Sequence, residues 1–156
     1  MLIRETKTPN TIQKKAIINL WNNEYPEQLA FAKPEGLDAY LAGIADAAHY
    51  FLIDVHDHIH GWAVTFERND ERWFAMILDK AIQHQGFGSL LMNKLKETDP
   101  LLNGWVIDHD TYIKSDKSKY ISPLPFYIKH QFNIHSDIRL ETPTLSAVKI
   151  QWTYKN

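Results

Sequence analysis

The stretch Ile82–Leu95, IQHQGFGSLLMNKL, sets Gly86 and Gly88 two positions apart, just ahead of an apolar pattern, in a chain with only six glycines in 156 residues. Phe87, Leu90, Leu91 and Leu95 recur at helical spacing, and Ser89, Asn93, Lys94, Lys96 and Glu97 take the other side. The spacing predicts an amphipathic helix that opens at the glycine pair and ends near Asp99-Pro100. The first amides of a helix lack internal partners and lie at the positive end of its dipole. Glycine lets an anion approach them without a β-carbon in the way. The stretch reads as a phosphate cradle or as an ordinary turn, and Gly-X-Gly alone does not choose.

The flanking chain supplies context. MLIRETK reads as a first strand, residues 10–22 as an amphipathic helix and LDAYLAGIADAAH (37–49) as a second helix. YFLIDV, GWAVTFE and RWFAMILD (72–79) read as three antiparallel strands joined by polar turns, the last apolar enough to be covered on both faces. NGWVIDHD (103–110) follows as a strand, and residues 111–121, with KSDKSK, read as a solvated loop. SPLPFYIKH reads as a short helix with Ser122 as N-cap and Pro123 first in the helix, before closing strands QFNIH and LSAVKIQWTY. The helix between Asp79 and Asn103 lets its flanking strands run parallel. The expected fold is a single α/β (α+β) domain over 1–156, with a mixed, mostly antiparallel sheet and helices on both faces.

Composition narrows the function classes. A net charge of −2 and the lack of a basic stripe argue against nucleic acid. The chain has no cysteine, which removes disulfides and thiolate chemistry and suits a cytoplasmic protein. No apolar run is long enough to span a membrane, and the first residues carry no signal core. His56, His58 and His60 alternate and could share one face as transition-metal ligands, but exposed hairpin histidines are ordinary, so no metal is expected.

Among nucleotide motifs, a P-loop would continue with Lys-Ser/Thr, whereas here Ser89-Leu90 follows. The dinucleotide fingerprint would have its acidic residue at Asp108, but Leu91 stands in place of the third glycine and six residues separate Asp79 from Gly86 where a tight turn belongs. QHQGFGSLL resembles the Gln/Arg-X-X-Gly-X-Gly/Ala signature of the GNAT superfamily of acyl-coenzyme A-dependent N-acyltransferases. SPLPFYIKHQF is similar to its second signature, an aromatic-Tyr pair followed by Lys-X-Gly-Phe, with Gln131 in place of the glycine. The element order is also that of the family.

The resemblance implies acetyl-CoA as cosubstrate and direct acetyl transfer to a primary amine of a small molecule or peptide. A non-catalytic acyl-CoA-binding module of the same fold is the alternative, and a homodimer stays open. The resemblance assigns the pyrophosphate to the Gln83 side chain and to Gln83, His84, Gln85, Gly86, Phe87, Gly88 and Ser89 as a loop, and the pantetheine arm to the backbone of Met76, Ile77 and Leu78. It makes Tyr127 the acid beside the sulfur. Asp108 is the first candidate to accept the amine proton, with His109 and Asp110 beside it and Glu67 a weaker choice. Trp21, Tyr25 and Phe31 would wall the acceptor pocket.

Overall fold

The computed structural model describes residues 1–155. The chain runs β1 (Leu2–Thr6), α1 (Thr11–Glu24), α2 (Glu35–Ala42), β2 (Ala45–Ile53), β3 (Ile59–Arg68), β4 (Glu71–Leu78), α3 (Phe87–Thr98), β5 (Leu101–Val106), α4 (Leu124–Lys129), β6 (Asn133–Thr142) and β7 (Leu145–Thr153). One seven-stranded sheet has the order β1-β2-β3-β4-β5-β7-β6. Every neighbouring pair is antiparallel except β4–β5, which are joined by α3 and run parallel.

The sheet separates two apolar layers. On one face Ile17 and Leu20 of α1 and Leu37 of α2 bury against Phe51, Trp62, Val64 and Ile77. On the other, Leu91, Met92 and Leu95 of α3 and Tyr127 of α4 pack on Tyr50, Phe74, Leu102 and Ile150. Leu91, Met92 and Leu95 are fully buried, each contributing about 1.5–3 kcal/mol relative to exposure. Of the expected stripe, Leu91 and Leu95 are buried and Phe87 is half-buried, whereas Leu90 is exposed and Met92 takes the inward position beside them. At the start of α1, Asn10 Oδ1 accepts from Gln13 N–H at 2.8 Å while Gln13 Oε1 accepts from Asn10 N–H at 2.9 Å, a reciprocal cap that fixes the helix start.

Four local expectations are corrected. The helix expected over 37–49 ends at Ala42, and Ala45–His49 is strand, paired to β3 through Ala45↔Glu67, Ala48↔Thr65 and His49↔Val64 and joined to β1 only at His49, through Thr6↔His49. Alanine's helical preference is worth only tenths of a kcal/mol per residue, and the pairing to β3 outweighs it. The strand expected to reach Asp110 stops at Val106. β6 extends to Thr142, accommodating a register shift between His135 and Arg139. α4 begins at Leu124, with Ser122 one step earlier: its hydroxyl accepts from Leu124 N–H at 3.2 Å and donates to Ile107 O at 2.5 Å, tying α4 to the end of β5.

Candidate functional site

β4 and β5 pair only at Trp73↔Asn103, then part. The register Gly61↔Leu78 and the bond from Asp79 N–H to His60 O, 2.8 Å, fix which way each backbone group of β4 points. Because these groups alternate along a strand, those of Ala75 and Ile77 bond to β3 while those of Met76 and Leu78 face the gap. Of the three backbones expected to line an arm of coenzyme, Ile77 is thus committed to the sheet.

A 3₁₀ turn, Lys80–Ile82, leads from β4 to the glycine loop, with Asp79 Oδ1 accepting from Ala81 N–H at 2.9 Å. His84 (φ 62°) and Gly86 (φ 89°) are left-handed while Gln85 between them is not. Such alternation turns successive N–H groups toward one concavity and makes an anion-binding nest. Among the described residues, no group accepts a hydrogen bond from any backbone amide of the run His84–Ser89. The two glycines serve different ends. A β-carbon on Gly86 would meet nothing within 4 Å, so that position needs glycine for its dihedral. A β-carbon on Gly88 would lie 3.1 Å from Cε2 of Phe126, so that position lets α4 approach α3.

The side chains of the loop are less free than its amides. Gln83 turns its amide onto Leu78 O at 2.9 Å and braces the loop against β4. One of its two N–H donors is engaged there, leaving the other for a ligand. Gln85 donates to Ala81 O at 3.0 Å, and Ser89 Oγ bonds His130 Nε2 at 2.9 Å.

Tyr127 lies on the α3–α4 side of the gap, packed by Phe74, Phe126 and Phe132 at ring separations of 5.6, 5.1 and 5.5 Å. Tyr25, at the end of α1, and Tyr120, in the loop before α4, come close enough that their hydroxyls oppose one another's ionisation. Burial, with Tyr120 adding, pushes the Tyr127 hydroxyl well above the usual phenol range, so it stays protonated. Tyr25 and Tyr120 are pushed the same way, by burial first. Tyr120 was not singled out from sequence, and no local motif marks it.

Trp21 and Phe31 sit behind this cluster. Trp21 stacks on Phe31 at 4.6 Å, meets Tyr25 and Tyr40 edge-on at 4.8 and 5.1 Å, and donates from Nε1 to Leu29 O at 2.8 Å. Asn22 bonds both backbone groups of Phe31. Their geometry is that of a brace between α1, α2 and the connecting loop, with Tyr25 alone of the three set beside Tyr120 and Tyr127.

Asp108 is held bidentately by Arg139, at 2.9 and 3.0 Å, and this guanidinium lowers its pKa below the ordinary carboxylate value. A carboxylate so engaged is a poor proton acceptor near neutral pH, which corrects its candidacy as base. Asp110 accepts from Ser122 N–H at 2.7 Å, and His109 Nδ1 lies 2.8 Å from Thr111 Oγ1. Glu67 stands opposite Arg72, at the far end of β4 from the gap. His56 and His58 donate backbone N–H to Asp54 Oδ1, and the rings of His58 and His60 both approach Asp54 Oδ2, at 3.6 and 2.7 Å, with the His56 and His58 rings 6.1 Å apart. Among the described residues no three metal-ligating side chains converge.

The parallel β4–β5 pair that parts after one register step, the amide nest at the start of α3 and the short α4 define the GNAT fold. Three solved structures match it over nearly their whole length. They are aminoglycoside 6'-N-acetyltransferase with coenzyme A (TM-score 0.72, 16% identity, 98% of this chain and 97% of that one), a GNAT-family acetyltransferase from Staphylococcus aureus MU50 (0.68, 16%, 99% and 100%), and a GNAT-superfamily phosphinothricin acetyltransferase from Sinorhizobium meliloti with acetyl-CoA (0.66, 10%, 98% and 88%). No family model matches the chain, and no curated protein matches its sequence. Among the described residues, no helix is long and apolar enough to cross a membrane.

Proposed function

We propose that the chain is an N-acetyltransferase that carries the acetyl group of acetyl-CoA to a primary amine of a small molecule or peptide, by direct transfer in a ternary complex. The observation that carries this reading is the unpartnered amide run His84–Ser89 at the end of a strand whose Met76 and Leu78 backbone groups face an open gap. The amides of Gln85 to Ser89 bind the pyrophosphate, the open space in front of Gly86 admits it, and the Met76 backbone bonds the pantetheine arm as an added strand would, while Leu78, whose carbonyl accepts from Gln83, keeps its N–H free for the thioester. The coenzyme supplies a thioester carbonyl as electrophile. Leu78 N–H is placed to polarise that carbonyl. Tyr127, held protonated, gives its proton to the departing thiolate, and Tyr25 and Tyr120 flank the point of transfer. The amine enters from the α1 side as its neutral form. A cytoplasmic location, supported by the cysteine-free composition, belongs to the same proposal.

The non-catalytic alternative is favoured by one observation: the carboxylates weighed as bases are engaged or remote, Asp108 by Arg139 and Glu67 by its distance along the sheet. A panel of primary amines assayed for acetyl-CoA consumption separates the two. Turnover above the hydrolysis background supports the enzyme, and coenzyme binding without turnover on any amine supports the binding module.

A further inference from the structure

The loop 111–121 is a strap. It follows β5 and reaches the last turn of α1, which packs over β3 and β4, so it lies on the α1 side from which the proposed acceptor enters. Its ties are specific. Pro26 pairs with Lys114 as an isolated bridge, Glu27 N–H donates to Ile113 O at 2.8 Å, and Ser115 Oγ donates to Asn22 O at 3.0 Å. Tyr120 N–H donates to Tyr112 O at 3.0 Å on the strap's return, and Tyr120 is buried.

Glu24 stands at the joint between this strap and the glycine loop. Its side chain is 8% exposed, and its two oxygens face different segments. Oε2 accepts from Lys80 N–H at 2.9 Å, the first residue of the 3₁₀ turn that leads to the amide nest, and Oε1 accepts from Lys114 Nζ at 2.9 Å, on the strap. Lys114 is itself only 14% exposed, so the ion pair is enclosed. A second, more open contact joins the same segments, Lys80 Nζ to Asp116 at 3.5 Å. A single enclosed carboxylate bonded to two segments makes the placement of one depend on the other, because loss of Lys114 leaves the Glu24 charge without its counter-charge in low dielectric, held only by the Lys80 amide.

We infer that Glu24 is a positioning residue that couples the coenzyme loop to the strap over the acceptor side, so that filling the amide nest also orders residues 112–120. The inference rests on the proposed coenzyme site. It identifies the strap, with Tyr120, as the part of the acceptor pocket that becomes complete only with coenzyme in place.

Hydrogen exchange of the full chain, followed residue by residue with and without coenzyme A, tests this without knowledge of the acceptor. Coenzyme A should slow exchange at His84–Leu90 by direct contact. It should also slow the strap amides Ile113, Lys114 and Tyr120 by about fivefold or more, the low end of ordinary site-to-site coupling. Lys114→Met should keep the protection of the nest and lose that of the strap, and Lys114→Arg should restore it. Protection of the nest with no change in the wild-type strap overturns the coupling and leaves the coenzyme site standing. Protection nowhere overturns both. Strap protection that survives in Lys114→Met overturns the role of Glu24.

Discussion

Gly86→Ala isolates the backbone conformation on which the amide nest depends. The residue sits at φ 89° and ψ −4°, in the left-handed region, and a β-carbon there would meet nothing within 4 Å. Packing therefore contributes nothing to the cost, which is the strain of an L-residue held left-handed, about 1–2 kcal/mol. For a domain of this length that corresponds to a fall in Tm of about 2–4 °C per kcal/mol. Gly86→Asn should lose less, because asparagine visits this region more readily than alanine. Gly88→Ala has the opposite logic: the residue is helical and alanine favours helix by about 1 kcal/mol, but its β-carbon would press on the Phe126 ring at 3.1 and 3.3 Å. The helix gain and the crowding, about 1–3 kcal/mol when a packed interface is overfilled, leave Gly88→Ala near neutral to mildly destabilised. Urea unfolding of the three variants, with Cm compared at constant m-value, reads these differences. Gly86→Ala as stable as the wild type, or Gly86→Asn no better than Gly86→Ala, refutes a left-handed position 86.

Three further outcomes follow from buried or strained groups. His49 is 2% exposed, its Nδ1 accepts from Trp62 Nε1 at 3.0 Å, and burial lowers its pKa from 6.5 to about 4. The folded state therefore refuses a proton that the unfolded chain takes up below pH 6.5. Its contribution is intact above that pH and is lost progressively toward pH 4, by up to about 3 kcal/mol. His49→Gln should flatten that part of the stability–pH curve in urea titrations, and an unchanged difference between pH 7 and pH 4 would count against a neutral buried imidazole. Gln131 holds φ 68° just after α4, where glycine is the natural residue, so Gln131→Gly should stabilise the fold by about 0.5–1 kcal/mol; a loss of stability on thermal melting contradicts the left-handed turn. Tyr127→Phe should lower turnover by about 10²–10⁴-fold with little change in coenzyme affinity, and unchanged turnover across the pH range removes Tyr127 as the acid.

The legible parts of the fold were those set by local pattern. Phe87, Leu91 and Leu95 announce α3 because an inward-facing helical stripe repeats every few residues, although Leu90 of the same pattern is exposed and Met92 is buried instead; the glycine loop announces its start. Ala45–His49 misleads because alanine is a helix former by itself, while the pairing to Thr6 and Val64–Thr65 that makes it strand comes from distant chain. The same limit governs the site. The motif puts Tyr127 on a short helix, as found, but the engagement of Asp108 by Arg139 spans 31 residues, and that of Glu24 by Lys114 spans 90. KSDKSK looks like a solvated charge run because its lysines carry no local partner. Only the folded chain brings Lys114 to Glu24 and Lys117 to Glu27, at 2.9 and 2.7 Å. Gln83 is a donor at the right distance from the glycines in sequence, and its bond to Leu78 O, which the sequence does not show, fixes the direction of its amide.

The central claim is that the amide nest and the open edge of β4 hold acetyl-CoA, and thermal unfolding with added ligand tests it most directly. At about 100 times Kd, acetyl-CoA should stabilise the chain by about 2.7 kcal/mol, a rise in Tm of about 5–10 °C, with NADH leaving Tm unchanged. No shift with millimolar acetyl-CoA, or an equal shift with NADH, would contradict it.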